Sequence, residues 1–247
     1  MTYSKETLEE HLAAEHKITP FSEYLKEIVY GGNDGIVTTF AVVAGFAGAQ
    51  GPNSVSSLPF LSVLLFGLAN LFADGASMGL GNFLSLRSEQ DVYRSSQKKE
   101  LHEITHNPAM EKAETIEILI QRGYSKEDAE RMTALYMKNP KYWLEFMMNQ
   151  ELEMTNPENQ NALYNGLATF SSFLVFGFIP LMPYVFFRSQ ENIFQISIAF
   201  TAVALMLLGL LRWRVTRENI VRSVGEIVLI GGVSAAIAYF VGTFFRM

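Results

Sequence analysis

Cysteine is absent from this chain of 247 residues. Disulfides, zinc–thiolate sites and iron–sulfur clusters held by its own thiolates are therefore excluded, and the redox compartment cannot be read. Any metal has to be held by carboxylates, imidazoles, carbonyls or methionine thioethers. Charge is also scarce, at 18% of residues against 49% hydrophobic, and the net charge is −6. No basic footprint marks the chain, which excludes a nucleic-acid partner. Residues 1–26 are acidic and polar, without the basic and apolar regions of a cleavable signal peptide, so the first apolar run is expected to act as its own insertion signal.

What the chain does have is long apolar runs. Ile28–Ala49 is apolar except for Asn33, Asp34 and two threonines, and at 1.5 Å per residue it can cross a hydrocarbon core of roughly 30 Å. A second run extends from Leu58 to Leu86, interrupted by Asn70, Asp74 and Asn82, and is expected to continue as a polar helix through Arg87 to Lys99. Three more follow at Ala162–Phe187, Ile193–Leu211 and Ile220–Phe245. The reading is an all-α membrane protein of five transmembrane helices, with a cytoplasmic helical metal-binding domain inserted between spans 2 and 3. Its parts are a tail (1–27) with some helical character at Thr7–His16, spans 1–2 (28–94), the acidic domain (95–157) and spans 3–5 (158–247). Gly51-Pro52-Asn53-Ser54 is a turn between the first two spans. Arg212, Arg214, Arg217 and Arg222 crowd the linker after the fourth span, whereas the third-to-fourth linker has only Arg188. By the positive-inside rule that arginine-rich linker, the acidic domain and the N-terminus face the cytoplasm.

The acidic domain reads as three or four short helices. Asn107-Pro108 and Asn139-Pro140 are breaks, because the residue before proline is pushed out of the helical region. Ser125 with Asp128 resembles a capping box in which Asp replaces Glu. A last helix is expected from Trp143 to about Met154.

Carboxylates recur here at i, i+3, which places Glu100 with Glu103, and Glu111 with Glu114, on shared helix faces. With Met147, Met148 and Glu151 they form an oxygen-plus-thioether donor set, which suits Fe²⁺ or Mn²⁺ better than Mg²⁺ or Ca²⁺. Within the spans, Asp34 is a carboxylate about two turns into an apolar helix, and such residues face a pathway or a bundle interior. Asn70, Asp74, Met78 and Asn82 stack on one face at i, i+4. Glu27 lies just before the first span, either guarding its mouth or merely solvated. Glu226, several residues into the fifth span, reads as either a proton carrier or a salt-bridge partner of Arg222, the second being favoured. The acidic segment is thus read as gathering metal ions that the flanking spans move across a membrane.

One motif points elsewhere. His102-Glu103-Ile104-Thr105-His106 matches H-E-x-x-H, in which two imidazoles bind zinc and the Glu is a general base. Asn107-Pro108 stops the helix directly afterwards, and no later His can serve as third ligand. A membrane protease and a di-iron oxidase built on the ExxE pairs stand as enzyme alternatives. A membrane-anchored metal storage or sensing module is a third.

Tyr30-Gly-Gly-Asn-Asp34-Gly-Ile-Val-Thr38, Asp74-Gly-Ala-Ser77-Met78 and the Glu/Met set together resemble the vacuolar iron transporter family, from about residue 22 to the end. The resemblance implies a homodimer of five-span protomers with the metal path between the first spans. It also implies Fe²⁺ movement out of the cytoplasm against inward protons, and a non-enzyme. Asp34 and Met78 would be path ligands, Glu27 would stand near the entrance, and the seven Glu and Met residues would be the domain's ligands. Gly81-Asn82-Phe83 departs from the Gly-Glu-Tyr of many relatives, and Asn70 stands where some carry an acid; Asp74 is the compensating carboxylate. No permanent cofactor is expected; the carried ion is Fe²⁺, with Mn²⁺, Co²⁺, Ni²⁺ or Zn²⁺ as further cargo. The expected partners are membrane lipid, metal ions, protons and a second copy. A bacterial inner membrane is favoured over a vacuole because no sorting extension is seen.

Overall fold

Helices provide all the regular structure among the residues that the computed structural model describes, which are 4–5, 20–49, 60–187 and 192–245. The expected tail helix at Thr7–His16, the turn at 51–54 and Arg188 lie outside them. After a one-turn helix at Pro20–Glu23 come α1 (Leu25–Ala49), α2 (Phe60–His106), α3 (Pro108–Gln121), α4 (Lys126–Tyr136) and α5 (Pro140–Gln150). A 3₁₀ turn at Pro157–Asn159 leads to α6 (Ala162–Phe178), which continues through Ile179–Leu181 into the short helix Met182–Phe186. The chain ends with α7 (Ile193–Thr216) and α8 (Ile220–Phe244). It divides into two compact units, one from the described residues of Met1–Asn82 and Leu163–Met247, the other Phe83–Ala162.

Four helical segments in the described residues are long and apolar enough to cross a membrane: Phe60–His106, Ala162–Phe186, Ile193–Thr216 and Ile220–Phe244. Helix α1 has the length, at 25 residues, but Asn33, Asp34 and its glycines lower its hydropathy. In the first unit α8 packs along α1, and α7 packs against both. One face of α1 contributes Phe40, Val43 and Ala44 to a core with Val63, Leu71, Phe173, Leu181 and Tyr184. Ile36, a turn earlier, joins Ala204, Leu205, Leu208 and Ile227. The outward residues of these helices are themselves apolar, as at Phe72, Leu80, Leu229 and Phe240, the inverse of a water-facing surface. Against α6, α1 comes to backbone contact, since a Cβ added at Gly35 would run into the Phe173 carbonyl oxygen.

The second unit is built from strongly signalled helix ends. Helix α2 runs without interruption to His106, and Pro108 opens α3 at a position where a missing N–H costs nothing. Helix α3 ends at Gly123, whose φ of +98° suits a residue without a Cβ; the Tyr124 N–H donates back to the Leu119 carbonyl at 3.1 Å, closing a Schellman-type end. Ser125 caps α4, accepting from the Asp128 N–H at 3.2 Å while its hydroxyl donates to Asp128 Oδ2 at 2.6 Å. Asn139 caps α5 through the Tyr142 N–H at 3.3 Å. This helix starts three residues before Trp143 because proline suits its first turn. It stops at Gln150 rather than near Met154, where the chain leaves the helical path through Glu153 at φ +52°. Ile104, Trp143 and Met147 form the small core of this unit.

Candidate metal-binding site

Helix α2 supplies Glu100, α3 supplies Glu111, and Glu151 follows the last turn of α5; one carboxylate oxygen from each lies within 4.8 Å of the others. Glu100 and Glu111 are buried, while Glu151 opens to solvent. Three carboxylates this close repel one another unless protons or a cation intervene. Burial pushes the Glu111 carboxyl up to about 8, reinforced by the proton it shares with Glu100 and by the charge of that neighbour. Burial also raises Glu151 to about 6, with Glu114, Glu111 and Glu103 adding repulsion. Glu100 is raised mainly by burial. Glu100 Oε1 and Glu111 Oε2 are buried and have no hydrogen-bond partner. Buried polar atoms are normally satisfied, so this pair of oxygens is what a cation would complete.

Of the other expected ligands, Glu103 and Glu114 lie within electrostatic reach of the trio, Glu103 exposed and Glu114 half-buried. Met147 and Met148 are fully buried. Met147 is held by a residue that sequence reasoning passed over. The Thr115 hydroxyl lies 3.2 Å from Met147 Sδ and 2.7 Å from the Glu111 carbonyl oxygen, and it accepts the Trp143 indole N–H at 2.8 Å. A threonine four residues after a glutamate is the only sequence trace of this contact, and it resembles ordinary helical filler.

The spans carry the second set. Asn70, Asp74, Met78 and Asn82 are all half-buried, as expected of one stripe on α2. Asp34 and Asp74 lie within electrostatic reach of each other. Met78 packs against the core around Phe40 and Leu71, and Asn70 borders an open apolar groove with Ala41, Gly45, Phe66 and Gly242. Glu27 is buried rather than solvated. It accepts from Asn165 Nδ2 at 3.4 Å, and the Asn165 carbonyl accepts from Asn82 Nδ2 at 3.4 Å, while Asn82 also donates to the Thr169 hydroxyl at 2.8 Å. Asn165 was not read from sequence, being an isolated polar residue 138 positions from its partner.

Residues 25–243 match the model of the VIT family. The chain belongs to this family. It is similar to "Vacuolar iron transporter 1" of Tulipa gesneriana, 35% identical over 93% of this chain and 91% of that protein. It is also similar to "Vacuolar iron transporter 1" of Arabidopsis thaliana, 33% identical over 95% and 90%. The "Vacuolar iron transporter" of Plasmodium falciparum is 32% identical over 88% and 81%. As a VIT family member with four apolar helices among its described residues, the protein is a multi-pass membrane protein, and it is not an enzyme. His102 and His106 are exposed and stack at 3.9 Å between ring centroids. Neither joins a third ligand; the one three-ligand cluster in the described residues is Glu100, Glu111 and Glu151.

Proposed function

We propose that this VIT family protein is a secondary transporter of divalent metal ions, carrying Fe²⁺, and Mn²⁺ as a second cargo, out of the cytoplasm in exchange for protons. What carries the reading is the convergence of Glu100, Glu111 and Glu151 around two unsatisfied buried oxygens in a chain whose relatives are named vacuolar iron transporters. In this reading the acidic unit captures cargo on the cytoplasmic side, with Glu103, Glu114, Met147 and Met148 around the trio. Thioether sulfur beside carboxylates favours borderline transition ions over Ca²⁺ and Mg²⁺. Cobalt, nickel and zinc ions fit the same donors as competitors.

Helix α1 serves as the fifth span despite its lower hydropathy, because its polar residues face other helices and the path. Asp34 and Asp74 are the exchange element. Two carboxylates within electrostatic reach in a low-dielectric site are stabilised either by a divalent cation or by a proton, and each relieves the same repulsion. Loading one expels the other, which is the requirement for antiport. Glu27, held by Asn165 and through it joined to Asn82, lies on the approach to this pair, with Asn70 and Met78 completing the stripe. The protein works as a homodimer, whose contact is the open groove along Ala41, Gly45 and Phe46 of α1.

Purified protein in liposomes tests the proposal. Fe²⁺ flux is expected to follow an imposed pH gradient and to be lost in both Asp34→Asn and Asp74→Asn. Flux indifferent to the gradient and unchanged in both variants would overturn it. Tight metal binding with no flux at all would favour a storage or sensing role.

A further inference from the structure

The arginines at the corner between α7 and α8 divide into two kinds. Arg212 Nη1 donates to Glu226 Oε2 at 2.8 Å and Arg222 Nε donates to Glu226 Oε1 at 3.0 Å, closing an ion triad across the two helices. Arg214 and Arg217 are exposed, and neither has a hydrogen-bond or ion-pair partner among the described residues. The remaining acid of the corner, Glu218, acts on Arg222. Two positive charges are therefore left without a counterion among the described residues. Arg217 also occupies the left-handed region at the end of α7, with φ +54°, where glycine or asparagine is usual. An arginine pays a steric cost there that glycine would not, and its side chain makes no hydrogen bond or ion pair among the described residues.

Beside this corner lies an open trough of about 450 Å³, bordered by Ile28 of α1, by Ala168, Val175 and Phe176 of α6, and by Leu211 of α7. Tyr24, Ser171 and Ser172 complete its lining, the Ser172 hydroxyl being committed to the Ile28 carbonyl at 2.7 Å, and the surface it presents is nearly all carbon. Leu211 and Arg214 are three residues apart and so share a face of α7. Leu211, at the edge of the trough, thus stands one helical turn before Arg214 on α7. Trp213, beside that arginine, is partly exposed, in the manner of aromatic residues at headgroup level.

We propose that this corner and trough bind one anionic phospholipid, its phosphate held by Arg214 and Arg217 and an acyl chain lying along Leu211 and Val175. A soluble phosphate would satisfy the arginines and leave the apolar trough uncovered. A second copy of the chain docking here by the same face would bring two further unpaired arginines against these two. An anionic lipid supplies both the charge and the hydrocarbon.

Native mass spectrometry of the full-length protein in detergent is the test, with phosphatidylglycerol and phosphatidylcholine of identical acyl chains as probes. Phosphatidylglycerol is expected to be retained preferentially. Arg214→Gln and Arg217→Gln should each weaken it about fivefold, the increment of one basic residue at an anionic surface, and leave phosphatidylcholine unaffected. Ala168→Trp, which fills the trough, should weaken both lipids. Equal retention of the two lipids, or no loss in the Arg214→Gln/Arg217→Gln double variant, would overturn the proposal. Displacement of the lipid by inorganic phosphate would reduce the corner to a simple anion site and also overturn it. So would an Ala168→Trp protein that dissociates into protomers with lipid retention intact, since the trough would then be a contact between copies. The two arginine variants lie at exposed positions, so the test stands even where Ala168→Trp fails to fold.

Discussion

Trp143 donates its indole N–H to the Thr115 hydroxyl at 2.8 Å, tying α5 to α3 beneath the carboxylate cluster. With one lone pair engaged by the indole, the hydroxyl proton is directed to the Glu111 carbonyl and Met147 sulfur on its other side. Thr115→Val keeps the shape and removes the hydroxyl, which leaves a buried indole N–H unpaired. The expected cost is about 1–3 kcal/mol, with Thr115→Ser recovering most of it. Denaturant unfolding followed by tryptophan fluorescence in a Trp213→Phe background, which leaves Trp143 as the reporter, measures the difference. A Thr115→Val protein as stable as its parent would show that the indole finds another acceptor.

Acid-stabilised behaviour follows from the carboxylates. Glu111 is raised to about 8 and Glu151 to about 6, both above the 4.5 of an unperturbed glutamate. Between about pH 4.5 and pH 8 the metal-free folded protein holds protons that the unfolded chain has released. Stability is therefore fully present below the unfolded value and is lost as pH rises through the folded ones. A divalent ion takes the place of those protons and removes the penalty. The gain in melting temperature on adding Mn²⁺ should accordingly be larger at about pH 8.5 than at about pH 5.5. Metal-free protein scanned in chelator should melt lower at the higher pH. Proton release on metal binding, read by calorimetry in two buffers of different ionisation enthalpy, should fall away as the pH passes 8. Equal metal stabilisation at both pH values would remove the carboxylate trio from the binding site.

Substitutions at the glutamates should rank by geometry rather than by sequence spacing. Glu111→Gln removes a proposed ligand whose buried oxygen has no hydrogen-bond partner among the described residues. Even supporting residues around metals cost about 10–100-fold in affinity, so this ligand should cost at least as much. The same change should stabilise the metal-free protein at about pH 8.5, since a neutral amide carries no buried charge. Glu103→Gln, at an exposed residue that reaches the trio only through its field, should weaken binding far less. Equilibrium titration with Mn²⁺ settles the order, and equal losses in the two variants would mean that the ExxE pair acts as a unit.

Local signals were legible wherever the physics is local. Pro108 and Pro140 start the helices that their missing N–H allows, Ser125 caps α4, and the i, i+4 arithmetic put Asn70, Asp74, Met78 and Asn82 on one half-buried face. Composition likewise separated the acidic segment from the apolar runs. What periodicity could not supply was long-range pairing. The sequence offered Glu27 as either solvated or functional, and its burial is decided by Asn165, far along the chain. The ExxE spacing paired Glu100 with Glu103 and Glu111 with Glu114. In the folded chain Glu100 and Glu111, one member of each pair, meet Glu151 directly, while Glu103 and Glu114 act on them through their charge. Thr115 escaped notice for the same reason: its value lies in the sulfur and indole it touches, and both come from another helix.

Two glycines of α1 make a matched pair. A Cβ at Gly35 would overlap the Phe173 carbonyl oxygen, a backbone atom that cannot turn aside, whereas a Cβ at Gly45 has no atom within 4 Å that it would meet. Gly35→Ala has to push α1 away from α6, an overpacking that costs about 1–3 kcal/mol. Because Asp34 is the preceding residue, the displacement also changes its approach to Asp74. Gly45→Ala should fold as well as the parent and even gain slightly, as alanine is favoured over glycine within a helix by about 1 kcal/mol. Gly45 borders the groove assigned to the homodimer contact, so its variant separates two effects. Thermal unfolding in detergent should fall for Gly35→Ala and hold for Gly45→Ala. Size-exclusion with light scattering should show a weakened dimer for Gly45→Ala alone, if that groove is where two copies meet. An unchanged dimer in Gly45→Ala with intact transport would move the subunit contact to a different face of the helix bundle.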